Sequence, residues 1–65
     1  MNIRSLYRLS VTIDAILNDI IDSDLEEKEE LEMLLDVKKL TDIFSKELDN
    51  LIKQKMGMVE ATNNG

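Results

Sequence analysis

Two sets of apolar positions, each at helical spacing, divide this chain. Leu6, Leu9, Ile13, Ile16, Leu17 and Ile20 recur at steps of three and four, which is one face of a helix. Asn18 and Asp19 fall on the opposite side, and the pattern predicts a first helix over about residues 3–21. Asp22-Ser23-Asp24 then breaks it. Ser23 followed by Glu26 has the spelling of a capping box, and Asp24 followed by Glu27 offers the same solution one residue later. A second stripe follows in Met33, Val37, Leu40, Phe44, Leu48 and Leu51, with Leu34 and Ile52 at its edge. It predicts helix over about residues 24–56. Asp42 with Lys46, and Asp49 with Lys53, are spaced to pair along its exposed side. Gly57 is placed to act as the C′ residue, and residues 59–65 are expected to form a disordered tail after a single helical domain at 1–58.

Leu31 and Leu35 do not belong to the second stripe. At 100° per residue they lie more than about 100° from its centre. Either the helix breaks near Asp36 and a third helix follows, or these leucines face something else. The fold class is therefore all-α, as an antiparallel helical hairpin or a short three-helix bundle. Length adds a constraint. An unbroken second helix would span roughly 50 Å against roughly 28 Å for the first, so the first cannot cover all of its apolar stripe. The excess must fold back, meet a second copy or meet a target, and dimerisation is expected.

Composition supports that expectation. A chain of 65 residues buries a small fraction of its surface, and scaffolds of this size commonly add a disulfide, a metal or a partner chain. Cys and His are both absent, which removes disulfides and the usual zinc ligands together. No segment approaches the ~20 predominantly apolar residues of a membrane span. Asp14 and Asp19 interrupt what would be the apolar region of a signal peptide, so a cytoplasmic location is expected.

The net charge of −6 is confined to one segment. Residues 22–32 carry seven acids against Lys28, while acids and bases balance on either side. With no basic stripe to neutralise phosphates, direct nucleic-acid binding is disfavoured. Acids in a first helical turn suit the positive end of the helix dipole, which accounts for part of the cluster. Glu29, Glu32 and Asp36 also line one side at i, i+3 and i+7. Such a row can imitate successive phosphates and occupy a basic nucleic-acid-binding cleft, but Glu26, Glu27 and Glu30 surround the helix rather than line it, which favours a solvated face with a well-charged start. A calcium loop needs a glycine turn and converging loop ligands, so no metal or other cofactor is expected. Without Cys, His or a glycine-rich phosphate loop, no independent catalytic residues are expected either.

One segment carries a resemblance. Ser45-Lys46-Glu47-Leu48-Asp49-Asn50-Leu51-Ile52 resembles the Ser-x-Glu-Leu-Asp-x-Leu-Ile signature of the small sporulation-type aspartyl-phosphate phosphatases. Members are helical hairpins that dephosphorylate a response regulator through the regulator's own magnesium site. The resemblance implies that Ser45, Glu47 and Asp49 form a polar face presented to the regulator, while Leu48, Leu51 and Ile52 pack the hairpin. It covers eight of the 65 residues. The family's turn usually contains a glycine and lies about ten residues before the Ser. Here that place holds Met33-Leu34-Leu35-Asp36, so the turn would move to residues 22–24.

The remaining candidates are apolar residues off the main stripe: Leu31, Leu35 and Ile43, with Met56 and Met58 near the end. Beside the acidic row they make a set in which apolar anchors meet a polar rim. The expected partner-binding residues are Glu29, Leu31, Glu32, Leu35, Asp36 and Ile43. The expected function is that of a small acidic regulatory protein that binds and inhibits or modulates a larger protein, a nucleic-acid-binding protein being one such target. Short acidic antagonists of this composition are often encoded by mobile elements. The phosphatase-type regulator and a self-assembling structural bundle are the alternatives.

Overall fold

A computed structural model describes the backbone of residues 2–63 and the side chains of residues 2–60. Two helices make up the chain: α1, Ile3–Asp22, and α2, Glu27–Asn63. Asn2 caps α1, its extended backbone placing Oδ1 to accept from the Ser5 N–H at 2.9 Å. Such a cap satisfies one of the donors that a helix start leaves without a partner. At the other end Ser23 leaves the helix in an extended conformation, its N–H still donating to the Asp19 carbonyl at 3.0 Å. The connection from Ser23 to Glu26 is short, as expected for antiparallel neighbours, and half-buried Leu25 sits within it.

The hairpin seam follows a stricter repeat than the sequence reading assumed. In α1 the buried or half-buried apolar residues are Leu6, Leu9, Ile13, Ile16 and Ile20. In α2 the half-buried residues are Met33, Val37, Leu40, Phe44, Glu47 and Leu51. Both series alternate steps of three and four, which is the seam of a left-handed antiparallel pair. Glu47 therefore takes the place expected of Leu48, which is 36% exposed at the flank. A straight helix would drift by about 20° per heptad away from this repeat and toward position 48; left-handed coiling of the pair holds the 3.5-residue repeat and keeps position 47 on the seam.

Several local expectations are corrected. Helix α2 is continuous through Asp36, which decides the open alternative in favour of the hairpin: there is no third helix among the described residues, and Leu31 and Leu35 face outward. The Glu30 N–H bonds the Glu26 carbonyl at 2.9 Å, which places the start of α2 after Glu26 and beyond Ser23 and Asp24. Gly57 does not end the helix: its φ is not positive, and α2 continues through it to Asn63. The expected tail at 59–65 is thus helical backbone as far as Asn63, while residues 64 and 65 lie outside the described residues. Asp42 pairs with Lys38, one turn before it, at 3.3 Å rather than with Lys46. Both side chains are exposed, so the pair adds little stability.

The molecule measures 58 × 16 × 13 Å, and its radius of gyration is 16.7 Å. A compact domain of this length would have a radius near 11 Å. Ile3 shares a hollow with Leu51 and Ile52, so α1 begins level with residue 51 and the last turns of α2 project beyond it. Leu6, 7% exposed, is the one buried apolar side chain among the described residues.

Gly57 stands in this projecting segment, and a Cβ placed there would meet nothing within 4 Å. Exchanging Gly57→Ala should therefore stabilise the end of α2 by about 0.5–1 kcal/mol. The expected reading is a rise in helical circular dichroism and in thermal midpoint; a fall in either would contradict an open helical position.

Candidate interaction surface

The heptad seam fixes which residues share each side of the hairpin. In an antiparallel pair, the residues just after the seam positions of one helix lie on the same side as their counterparts on the other. On one side α1 places Ile3, Tyr7, Leu17 and Ile21. On the same side α2 places Leu34 and Leu48, with Leu31 and Ile52 at its margin. All of these are exposed, from Leu48 at 36% to Ile21 at 77%. This apolar face continues past α1 into a hollow of about 450 Å³ lined by Ile3, Leu51, Ile52, Met56 and Val59, among others.

The opposite side is polar. It carries Ser5, Thr12 and Asp19 from α1, and Glu29, Asp36 and Asn50 from α2, with Ile43 as its exposed apolar member. The expected partner-binding set divides between surfaces. Glu29, Glu32, Asp36 and Ile43 fall within roughly 60° of one another along one stripe, which the unbroken helix brings together. Leu31 and Leu35, exposed at 56% and 51%, lie outside it: Leu35 points away from α1, and Leu31 borders the apolar face. Polarity alone does not separate the wider apolar face from the seam, because Leu17, Leu34, Leu48 and Ile52 also fit the seam or its edge. Ile3, Tyr7 and Ile21 fit neither. The steps of four from Ile3 to Tyr7 and from Leu17 to Ile21 are the signal.

The residues of the phosphatase-like segment do not form one face. Positions i and i+4 share a side of a helix while i+2 points nearly opposite. Accordingly Ser45 and Asp49 line a shallow outer groove with Asp42 and Asn50, and Glu47 is half-buried in the seam toward α1. Of the three leucine-type positions in that segment, Leu51 packs the hairpin, while Leu48 and Ile52 border the apolar face. No cluster of three or more carboxylates able to hold a metal ion occurs among the described residues, and no helix there is long and apolar enough to cross a membrane.

Several polar side chains are satisfied locally. Ser10 Oγ donates to the Tyr7 carbonyl at 2.6 Å, Thr12 Oγ1 to the Arg8 carbonyl at 3.0 Å and Thr41 Oγ1 to the Lys38 carbonyl at 2.8 Å. Asn18 Nδ2 donates to Asp14 Oδ2 at 3.2 Å. These groups have partners within their own helices, which reduces what a covering surface must supply.

Fold and surface together define a two-helix hairpin with one apolar and one polar side. No family model, curated protein or solved structure matches the chain.

Glu47 is the one carboxylate within the seam, and its stem rather than its charge suits that place. Replacing it, Glu47→Leu, should stabilise the hairpin by about 1 kcal/mol, half of what full burial of a leucine gives. Chemical denaturation reads this directly, and a lower midpoint would mean that the carboxylate has a structural role.

Proposed function

We propose that this chain is a small, acidic, cytoplasmic regulatory protein that acts by binding a larger protein and inhibiting or modulating it. The observation that carries this reading is the exposure of Leu35 and Ile43 beside the acidic row of Glu29, Glu32 and Asp36, in a chain that exposes more apolar side chains than it buries. Among the described residues one apolar side chain is buried, while fourteen large apolar ones are exposed. Single exposed leucines are ordinary, but contiguous apolar patches on small proteins mark interaction surfaces. The described residues offer no enclosed cleft in which a carboxylate would be set apart for acid–base work, and a binding role needs none. The target-facing element in this reading is the stripe of Glu29, Glu32, Asp36 and Ile43 with neighbouring Leu35. There apolar contact is framed by charge, and a basic surface on the target would complement it.

The test is capture of the target from cells of the source, followed by binding measurements on variants. Reversing Glu29→Lys and Glu32→Lys together should weaken binding by about tenfold or more at low salt, with helicity retained. Truncating Leu35→Ala should cost about 1 kcal/mol of binding energy. Unchanged affinity in both variants would remove this stripe from the interface.

A phosphatase-type role is the second reading, supported by the shared groove of Ser45 and Asp49. It requires that the chain accelerate dephosphorylation of a response-regulator domain in magnesium. Asp49→Ala should abolish that acceleration. A chain without effect, or a variant as active as the parent, would reject it.

A further inference from the structure

We propose that the apolar face is covered by the same face of a second copy, giving a two-fold symmetric four-helix bundle with α1 of one chain antiparallel to α2 of its partner. This inference stands apart from the identity of any target, since it concerns the other side of the hairpin.

The first argument is the order of residues along the face. On α1 an apolar end (Ile3, Tyr7) is followed by a polar middle and a second apolar end (Leu17, Ile21). On α2 the sequence runs apolar at Leu34, polar at Lys38 and Thr41, and apolar again at Leu48. Because Ile3 lies level with residue 51, each zone of α1 lies within about a turn of the matching zone of α2. A two-fold axis parallel to the helices keeps those levels, so apolar ends meet apolar ends and the polar middles coincide. Such self-matching is what an isologous interface requires.

Charge and hydrogen bonding in the polar middle agree. Asp14 stands there on α1 and Lys38 on α2, at nearly the same level, so the arrangement sets opposite charges against each other twice across the axis, with the exposed Lys38 ammonium shared between Asp14 of the second copy and its own Asp42 at 3.3 Å. Stacking α1 on α1 would instead bring the two Asp14 side chains toward the same zone. Ser10 and Thr41 already donate to carbonyls of their own helices at 2.6 and 2.8 Å, so neither is left without an acceptor when covered.

Area is the third argument. The chain exposes 5442 Å². A compact monomer of 7.5 kDa exposes about 4,250 Å², so roughly 1,200 Å² is in excess. A stable interface of ordinary size removes about 800 Å² from each partner, which this excess can supply.

Sedimentation equilibrium on the full chain alone should give a dimer, and the thermal midpoint should rise with concentration. Leu17→Asp should shift the chain to monomer with loss of helicity, whereas Leu35→Ala, on the outer surface, should leave the dimer intact. Asp14→Lys should weaken dimerisation by about tenfold, and adding Lys38→Asp should restore most of it. The arrangement has its own readout, because the chain lacks cysteine. Tyr7→Cys and Leu48→Cys chains, mixed and oxidised, should form mainly the mixed disulfide. A monomer at high micromolar concentration, a dimer indifferent to Leu17→Asp, or crosslinking of Tyr7→Cys chains chiefly to each other would overturn the proposal. So would a face that binds only a different protein.

Discussion

Two helices share a single line of contact, and a side chain on that line is covered from one direction only. The rest of this structure follows from that limit. Ten apolar residues in two seams point between α1 and α2, yet Leu6 alone falls below a tenth of its full exposure. A hairpin can align its apolar positions in strict alternation and still have no interior. Burial of that kind stabilises by fractions of what a closed core provides, since each seam residue keeps part of its surface in water. The local devices, Asn2 at the start of α1 and the Ser23 bond to Asp19, orient the helices without adding much to hold them together.

The charge is arranged along the long axis rather than around it. The acids of residues 22–32 gather at the closed end, where Glu27, Glu29 and Glu30 occupy the first turn of α2. There they meet the positive end of the helix dipole, which offsets part of their mutual repulsion. The open end carries Met56 and Val59 on a helix that has outrun its neighbour. The closed end thus opposes end-on stacking of copies, while the open end and the side between invite contact; in the proposed bundle the two acidic ends lie side by side, a repulsion that salt screens. A surface divided in this way favours a defined mode of association over indiscriminate clustering.

Much of the architecture was legible because it depends on period. The stripe from Leu6 to Ile20 specified α1 to within a residue at its C-terminal end, and the break at Asp22–Asp24 marked the turn. What escaped depends on quantities a pattern of polarity does not carry. Leu48 looks like the seam residue because it is apolar, whereas the strict heptad repeat puts Glu47 there. Gly57 looked like an end, but the helix has no neighbour at that point to turn toward, and its backbone bonds simply continue. The polar face drawn through Ser45, Glu47 and Asp49 failed on geometry available from the start, since alternate residues of a helix cannot share a side. The acidic stripe was readable as spacing, while the broad apolar face became visible only when both helices were set side by side.

Tyr7 lies on that face at 68% exposure, in a chain whose other aromatic, Phe44, sits in the seam. With no tryptophan present, the near-ultraviolet absorption and emission of the molecule come essentially from this one phenol. Small shifts in its absorption and changes in its near-ultraviolet dichroism report whether the first two turns of α1 are covered, with no tryptophan to obscure them. The residue that leaves the hairpin incomplete is thus also its built-in optical gauge, readable without any label.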